Sequence, residues 1–444
     1  MNALAQQLQQ ILPSAMTGTV VRCAGLTIAV ADFPAPVGAI AQISRISGEP
    51  LSAEVIGFRD DLTLLSPLAE MAGVRHGDRV VLKQTTRWLP MGQNLLGRVI
   101  DATGRAVDGR PQPLLRERVR LDRPAPAPLE RPRIDEPLST GVRAIDAILT
   151  CGKGQRMGIF SGSGVGKSVT LGMMARYSSA DVIVVALVGE RGREVVEFLE
   201  RDLGELGRQR SVVVVSTSDE PALMRVHAAS TATAVAEYFR DQGRDVLLLF
   251  DSLTRFALAQ REIGLAAGEP PTTRGYPPSV FAMLPKLVER TGRTRHGSIT
   301  AFYTVLVEGD DPHEPISDTV RGLLDGHTWL SRRLASHGHY PAIDVLQSVS
   351  RLMPQVTASQ HQAAAAAVRS CLAVHQEHED LLTLGAYRPG ANPQLDTAIA
   401  VRESIQRLLR QMVEESSTVE SAQNQLLAVY DEIRTAQART PRAA

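Results

Sequence analysis

Five apolar runs, "QRMGIF", "DVIVVALV", "SVVVVST", "DVLLLFD" and "SITAFYTVLV", lie between residues 155 and 307, separated by stretches of helical character. A strand with one face in water alternates apolar and polar residues, whereas these runs are aliphatic almost without interruption. Both of their faces must therefore be covered. The arrangement that does this with intervening helices is a parallel sheet sandwiched between helical layers, its strands joined by right-handed crossovers. An α/β core is the expected fold class for this part of the chain.

The remainder is too long to belong to that core alone. A chain of 444 residues predicts two or three domains. Residues 3–12, "ALAQQLQQIL", place Leu4, Leu8, Ile11 and Leu12 on one helical face before Pro13. This segment, within a unit 1–14, reads either as a helix packed on its own domain or as a docking helix for a partner. Residues 15–88 carry short β-like runs between Gly, Pro and Asp turns, "GTVVRCAG", "LTIAVAD", "AIAQIS", "AEVIGF" and "DRVVLKQ", the pattern of a small barrel. The proline-rich "DRPAPAPLERPRIDEP" cannot be helix or central strand. The core is expected over 89–345 and a helical domain over 346–444. There Ile405, Leu408, Leu409 and Met412, then Leu426, Tyr430 and Ile433, fall at helical spacing, and Ala363 to Ala367 read as helix interior.

Charge and cysteine usage narrow the function. Lys+Arg and Asp+Glu are 48 each and aromatics are only 4%, with no basic run interleaved by aromatics, so no nucleic-acid footprint is expected. Cys23, Cys151 and Cys371 share no C-x-x-C spacing and read as buried small residues in a reducing compartment. No apolar run approaches the ~18 residues of a membrane span, and the expected location is the cytoplasm, with peripheral contact at the inner membrane left open.

The stretch "GIFSGSGVGKSV" supplies chemistry. A strand, a glycine-rich loop and a helix follow one another here, the context a phosphate-binding loop needs. Backbone N–H groups and the positive helix end hold phosphate oxygens, Lys167 reaches the outer phosphates, and the Ser168 hydroxyl holds magnesium. Ser161 stands where G-x-x-x-x-G-K-[ST] has its first glycine. It lies at the strand exit, so the tight turn still has Gly162, Gly164 and Gly166. Asp251, closing "DVLLLFDS", is a magnesium carboxylate acting through water or, alone, a helix N-cap. Glu190, in "VALVGERGREVVEF", is a carboxylate that could orient an attacking water, or a surface acid in the first turn of a helix.

At this point the chain resembles a family. "GSGVGKS", "GERGREVVEF", "DSLTRFALAQREI", "GYPPSVF", "HYPAID" and "SVSR" stand in the order found in catalytic subunits of rotary-type ATPases. The run from "GRVIDATGRAVDG" through "SVSRLM" resembles more closely the flagellum-specific ATPases of type III export and their injectisome relatives. The resemblance implies a RecA-like P-loop NTPase core with a parallel sheet, preceded by a small N-terminal β-barrel and followed by a C-terminal helical domain. It implies ATP and Mg2+ as ligands. Gly162, Ser163, Gly164, Val165, Gly166, Lys167, Ser168 and Val169 match the phosphate loop, Glu190 the catalytic glutamate and Asp251 the magnesium-side aspartate. Arg191 and Arg255 match arginines around the γ-phosphate, Tyr340 a tyrosine stacking on adenine, and Arg351 an arginine finger that enters a neighbouring subunit's site.

The same resemblance implies a homohexameric ring with shared sites and a regulatory stator-like export protein at the N-terminus. It also implies a coiled-coil stalk in the ring centre, and contacts with the export gate, chaperones and export substrates, one of them at "GAYRPGANPQL". Other classes fit less well. A non-catalytic rotary subunit would lack Glu190, and an RNA translocase of the Rho type would carry a stacking platform where residues 15–87 have only Phe33 and Phe58. A proton-driven synthase subunit is nearer, and the injectisome branch is the alternative to the flagellar one.

Overall fold

The computed structural model describes residues 16–46, 48–307 and 314–439. The amphipathic segment 3–12 lies outside the described residues.

Six short strands close into a barrel in the spatial order Thr17–Ala24, Thr27–Ala31, Leu62–Pro67, Leu51–Arg59, Ile40–Ile43 and Arg79–Gln84. Val20, Ile28, Val30, Ile43, Val55, Leu65 and Val80 fill its interior with no exposed surface. The alternation expected of a small barrel is what places them there. Cys151 and Cys371 are buried, but Cys23 is exposed. The expectation of three buried cysteines fails at Cys23 because it falls near the end of its strand, where the last three residues are all exposed.

The central sheet runs Ile343–Ser350, Gly326–Leu330, Arg156–Ser161, Ser298–Leu306, Asp245–Asp251, Val182–Glu190, Ser211–Thr217, Arg98–Ile100. From Gly326–Leu330 to Arg98–Ile100 every neighbouring pair is parallel, and Ile343–Ser350 closes the other edge antiparallel. All five aliphatic runs are strands of this sheet. Val182–Glu190 has all nine residues buried, which only helices on both faces can achieve. The two edges were less legible. Arg98–Ile100 is three residues long, and Gly326–Leu330 alternates buried and half-buried positions.

The C-terminal region packs Ser359–Glu377, Pro393–Ala400, Arg402–Leu409 and Val419–Arg439 against the core, burying Ile405, Leu408, Leu426 and Ile433. Met412 departs from expectation: its helix ends at Leu409 and the side chain is 72% exposed. The Arg143 guanidinium is the cause. It donates to the carbonyls of Arg407, Leu408 and Arg410, and Gln411 is held between the Arg143 N–H and the Tyr340 carbonyl, so the chain leaves helical geometry there.

His339, 7% exposed, lies under this segment and accepts a hydrogen bond on Nδ1 from Arg410 Nε at 3.3 Å. Burial, then the Arg410 charge, push it down to about 4. The unfolded chain takes up that proton near pH 6.5, which the fold refuses until about 4, so this stability is complete above about 6.5 and drains as pH falls. The thermal unfolding midpoint should therefore drop between pH 6.5 and 4.5, and drop less in His339→Asn. Equal slopes in the two proteins, measured by circular dichroism, would assign the acid sensitivity elsewhere.

Candidate active site

The strand Arg156–Ser161 ends in the loop 162–166, and the helix Lys167–Tyr177 begins at once. Gly164 and Gly166 have φ of 79° and 92°, left-handed values that turn successive N–H groups toward one concave side. A Cβ on Gly164 would meet nothing within 4 Å, so the space above the loop is open. The helix has no side-chain N-cap, which leaves its positive end available to an anion. Val165 is buried in the core and anchors the loop, whereas Ser163 is exposed. Ser161 is fully buried in the strand beneath, its hydroxyl without a hydrogen-bond partner.

Two strand ends bring carboxylates to this loop, Glu190 and Asp251. Lys167 Nζ donates to Asp251 Oδ1 at 2.5 Å and lies 3.7 Å from Glu190 Oε1. The other Glu190 oxygen pairs with Arg255 Nη1 at 2.5 Å, and the same Arg255 nitrogen donates to the Gly189 carbonyl at 2.8 Å. Gly189, at φ 72°, carries Arg255 against its Cα, where a Cβ would sit 3.2 Å from the arginine's own Cβ. Glu190 and Asp251 are 6% and 3% exposed, so Lys167 and Arg255 neutralise two charges held almost out of water. Tyr340 lies on the outer side, its ring 3.7 Å from where a Cβ of Gly166 would be and 47% exposed. A planar base entering over the loop would meet that ring face.

Glu190 is held above the usual carboxylate range by burial first and then by its hydrogen bond with Glu194, against the pull of Lys167 and Arg255. Glu194 moves the opposite way through the same hydrogen bond. Glu190 Oε1 is buried and accepts no hydrogen bond, an orphaned oxygen beside Asp251. Together with the Ser168 hydroxyl these are hard oxygen donors, the kind a small divalent cation takes, and the Lys167 ammonium now lies among them.

Lys167, Glu190, Asp251 and Arg255 therefore meet in one pocket, with Tyr340 at its rim. Arg191 does not join them: its side chain is 78% exposed and pairs at 3.7 Å with Glu194. Arg351 lies at the other end of the sheet. Ser350 pairs with Gly326, at the start of the strand whose last residue, Leu330, pairs with Ser161 below the loop. Four residue steps at about 3.3 Å put Arg351 roughly 13 Å or more from its own chain's phosphate loop. Two residues of the pocket escaped the sequence reading. Glu194 lies in the first turn of the helix that follows the strand ending at Glu190, and Thr304, one of several hydroxyl residues in the run Ser298–Leu306, donates to Asp251 Oδ1 at 2.7 Å.

The nucleotide-binding domain of the ATP synthase alpha/beta family matches residues 141–350, and the T3SS EscN ATPase C-terminal domain matches 357–428. A flagellum-specific ATP synthase of Bacillus subtilis is 50% identical, covering 91% of this chain and 93% of its own length. The chain belongs to the type III export branch of the ATP synthase alpha/beta family. A type 3 secretion system ATPase of Xanthomonas euvesicatoria is 47% identical, with 97% of each chain covered. The solved structure of the assembled ATPase EscN in complex with its central stalk EscO, from enteropathogenic E. coli, superposes with a TM-score of 0.86 at 45% identity, over 93% of this chain and all of that one. As a member of this family, the protein is an ATP-hydrolysing enzyme of type III export, and its barrel, parallel core and C-terminal helices follow the EscN architecture.

Proposed function

We propose that this protein hydrolyses ATP, as its magnesium complex, to drive flagellar protein export, and that it acts as a ring of six copies with each site completed by a neighbour. One observation carries the reading: Lys167, Glu190 and Asp251 converge on an open, uncapped phosphate loop while Arg351 lies far from it on the same chain. A site with its cation, acid pair and base platform, and its remaining arginine out of reach, needs that arginine from another copy. The flagellar assignment is supported by the B. subtilis relative, 50% identical over 91% of this chain, and by the flagellar look of "SGSGVGKSVTLGMMARY"; the injectisome branch, with relatives 47% identical over 97% and 52% identical over 83% of this chain, is the second reading.

Ser168 and Asp251 would hold magnesium, Asp251 through water, and the ion would neutralise the phosphate oxygens in transfer. Lys167 leaves its carboxylates for the outer phosphates when nucleotide enters. Glu190 orients the attacking water. Its raised proton affinity fits a group that exchanges a proton with water more readily than an ordinary carboxylate does. Arg255 fixes the Glu190 carboxylate through its second oxygen. The domain division 1–14, 15–88, 89–345 and 346–444 goes with this reading, with the edge strand Ile343–Ser350 of the central sheet running across the last boundary. A stator-like protein on the first of these, a stalk in the ring centre like the EscO bound by EscN, the export gate, chaperones and substrates are the partners that fit. A cytoplasmic position agrees with the lack, among the described residues, of any helix long and apolar enough to cross a membrane.

Glu190→Gln tests the centre of this reading. It keeps the shape and the loop, so a fluorescent nucleotide should bind within about twofold of the wild type. Phosphate release should fall at least ~10²-fold, the usual contribution of a positioned base. Loss of nucleotide binding instead would make Glu190 a structural residue.

A further inference from the structure

Thr304 is a buried hydroxyl in the run Ser298–Leu306, with no exposed surface and flanked by Tyr303 and Val305, which are also fully buried. A hydroxyl in such surroundings costs free energy unless it finds an acceptor. Its acceptor is Asp251 Oδ1, at 2.7 Å on the neighbouring parallel strand, where Phe250 pairs with Tyr303 and brings the next two residues abreast. The same oxygen takes the Lys167 ammonium at 2.5 Å, and Oδ2 accepts no hydrogen bond from the described residues. Two donors on one oxygen restrain rotation of the carboxylate and leave the other oxygen to act as an acceptor.

We propose that Thr304 is a positioning residue for the magnesium ion: it holds Asp251 so that Oδ2 receives a water of the Mg2+–nucleotide complex. The proposal rests on Asp251 being the magnesium-side carboxylate. Its force comes from what Lys167 must do. When nucleotide binds, Lys167 turns to the phosphates and Asp251 Oδ1 keeps a single donor, Thr304. Without that hydroxyl the carboxylate is free to turn just when the cation needs it still. A purely structural hydroxyl would have no such dependence on the ion.

The test compares the affinity of a fluorescent ADP analogue in Mg2+ with its affinity in EDTA, for full-length wild type, Thr304→Val, Thr304→Ser and Asp251→Asn. Thr304→Val keeps the branched shape and removes the donor. Hydrogen bonds to charged groups contribute enough that the gain in affinity from Mg2+ should shrink about tenfold in this variant. Affinity in EDTA should stay within about twofold, and Thr304→Ser should restore the gain. A full Mg2+ gain in Thr304→Val, with the gain lost in Asp251→Asn, overturns the role of Thr304 alone. An equal loss of affinity in Mg2+ and in EDTA also overturns it, because the hydroxyl would then only support the fold. A full gain in Asp251→Asn overturns the reading of Asp251, and the proposal with it.

Discussion

Replacing Arg351 by alanine is expected to leave nucleotide binding and the unfolding temperature of the single chain unchanged, and to abolish the rate gain that accompanies assembly. The side chain is exposed, and the backbone N–H, which alanine keeps, donates to the Asp325 carbonyl at 3.0 Å. At about 13 Å or more from its own loop it cannot contact a phosphate there. In a head-to-tail ring it would face the next copy's loop and stabilise charge in the transition state, which is worth ~10³ to 10⁵ in rate. Phosphate release should be measured from nanomolar to tens of micromolar protein. Specific activity should rise steeply in the wild type and stay flat and low in Arg351→Ala. A wild-type rate independent of concentration, or a variant that follows it, would mean that each chain hydrolyses alone.

Lys167→Ala is expected to lower turnover on the order of 10³-fold and to weaken nucleotide binding, since it removes the ammonium proposed to reach the outer phosphates. In the empty site it should lower the unfolding midpoint, because it takes a counter-ion from two buried carboxylates. Asp251 and Glu190 would remain buried, with Arg255 as the sole cation among the described residues within ion-pair distance of Glu190. Lys167 is one of two cations pulling the Glu190 carboxyl down, so its removal should push that group further up and favour the protonated acid. Binding of the fluorescent nucleotide, phosphate release and the unfolding midpoint should be followed together. Turnover near the wild-type rate would remove the phosphate-loop assignment.

What the sequence determined by itself is local. Runs aliphatic on both faces, such as Val182–Glu190, can only be interior strands. Glycines at 164 and 166 permit the left-handed backbone that a phosphate loop requires. Both follow from constraints carried within a few residues. Tertiary structure alone decided which strand ends meet. The strand holding Ser161 and that holding Asp251 are separated by Ser298–Leu306, a strand that follows both in the chain, and this is why Thr304 reaches Asp251. Periodicity records which faces are apolar and is silent on neighbour order, which is set by crossovers spanning tens of residues. The same limit hid Met412. Its helical spacing continued past Leu409, but Arg143, more than 250 residues earlier in the chain, takes the helix's last carbonyls and ends it. Periodicity was equally silent on the antiparallel edge strand that ends at Ser350 opposite Gly326 and so places Arg351 away from its own chain's loop; its assignment to a neighbouring site came from the resemblance.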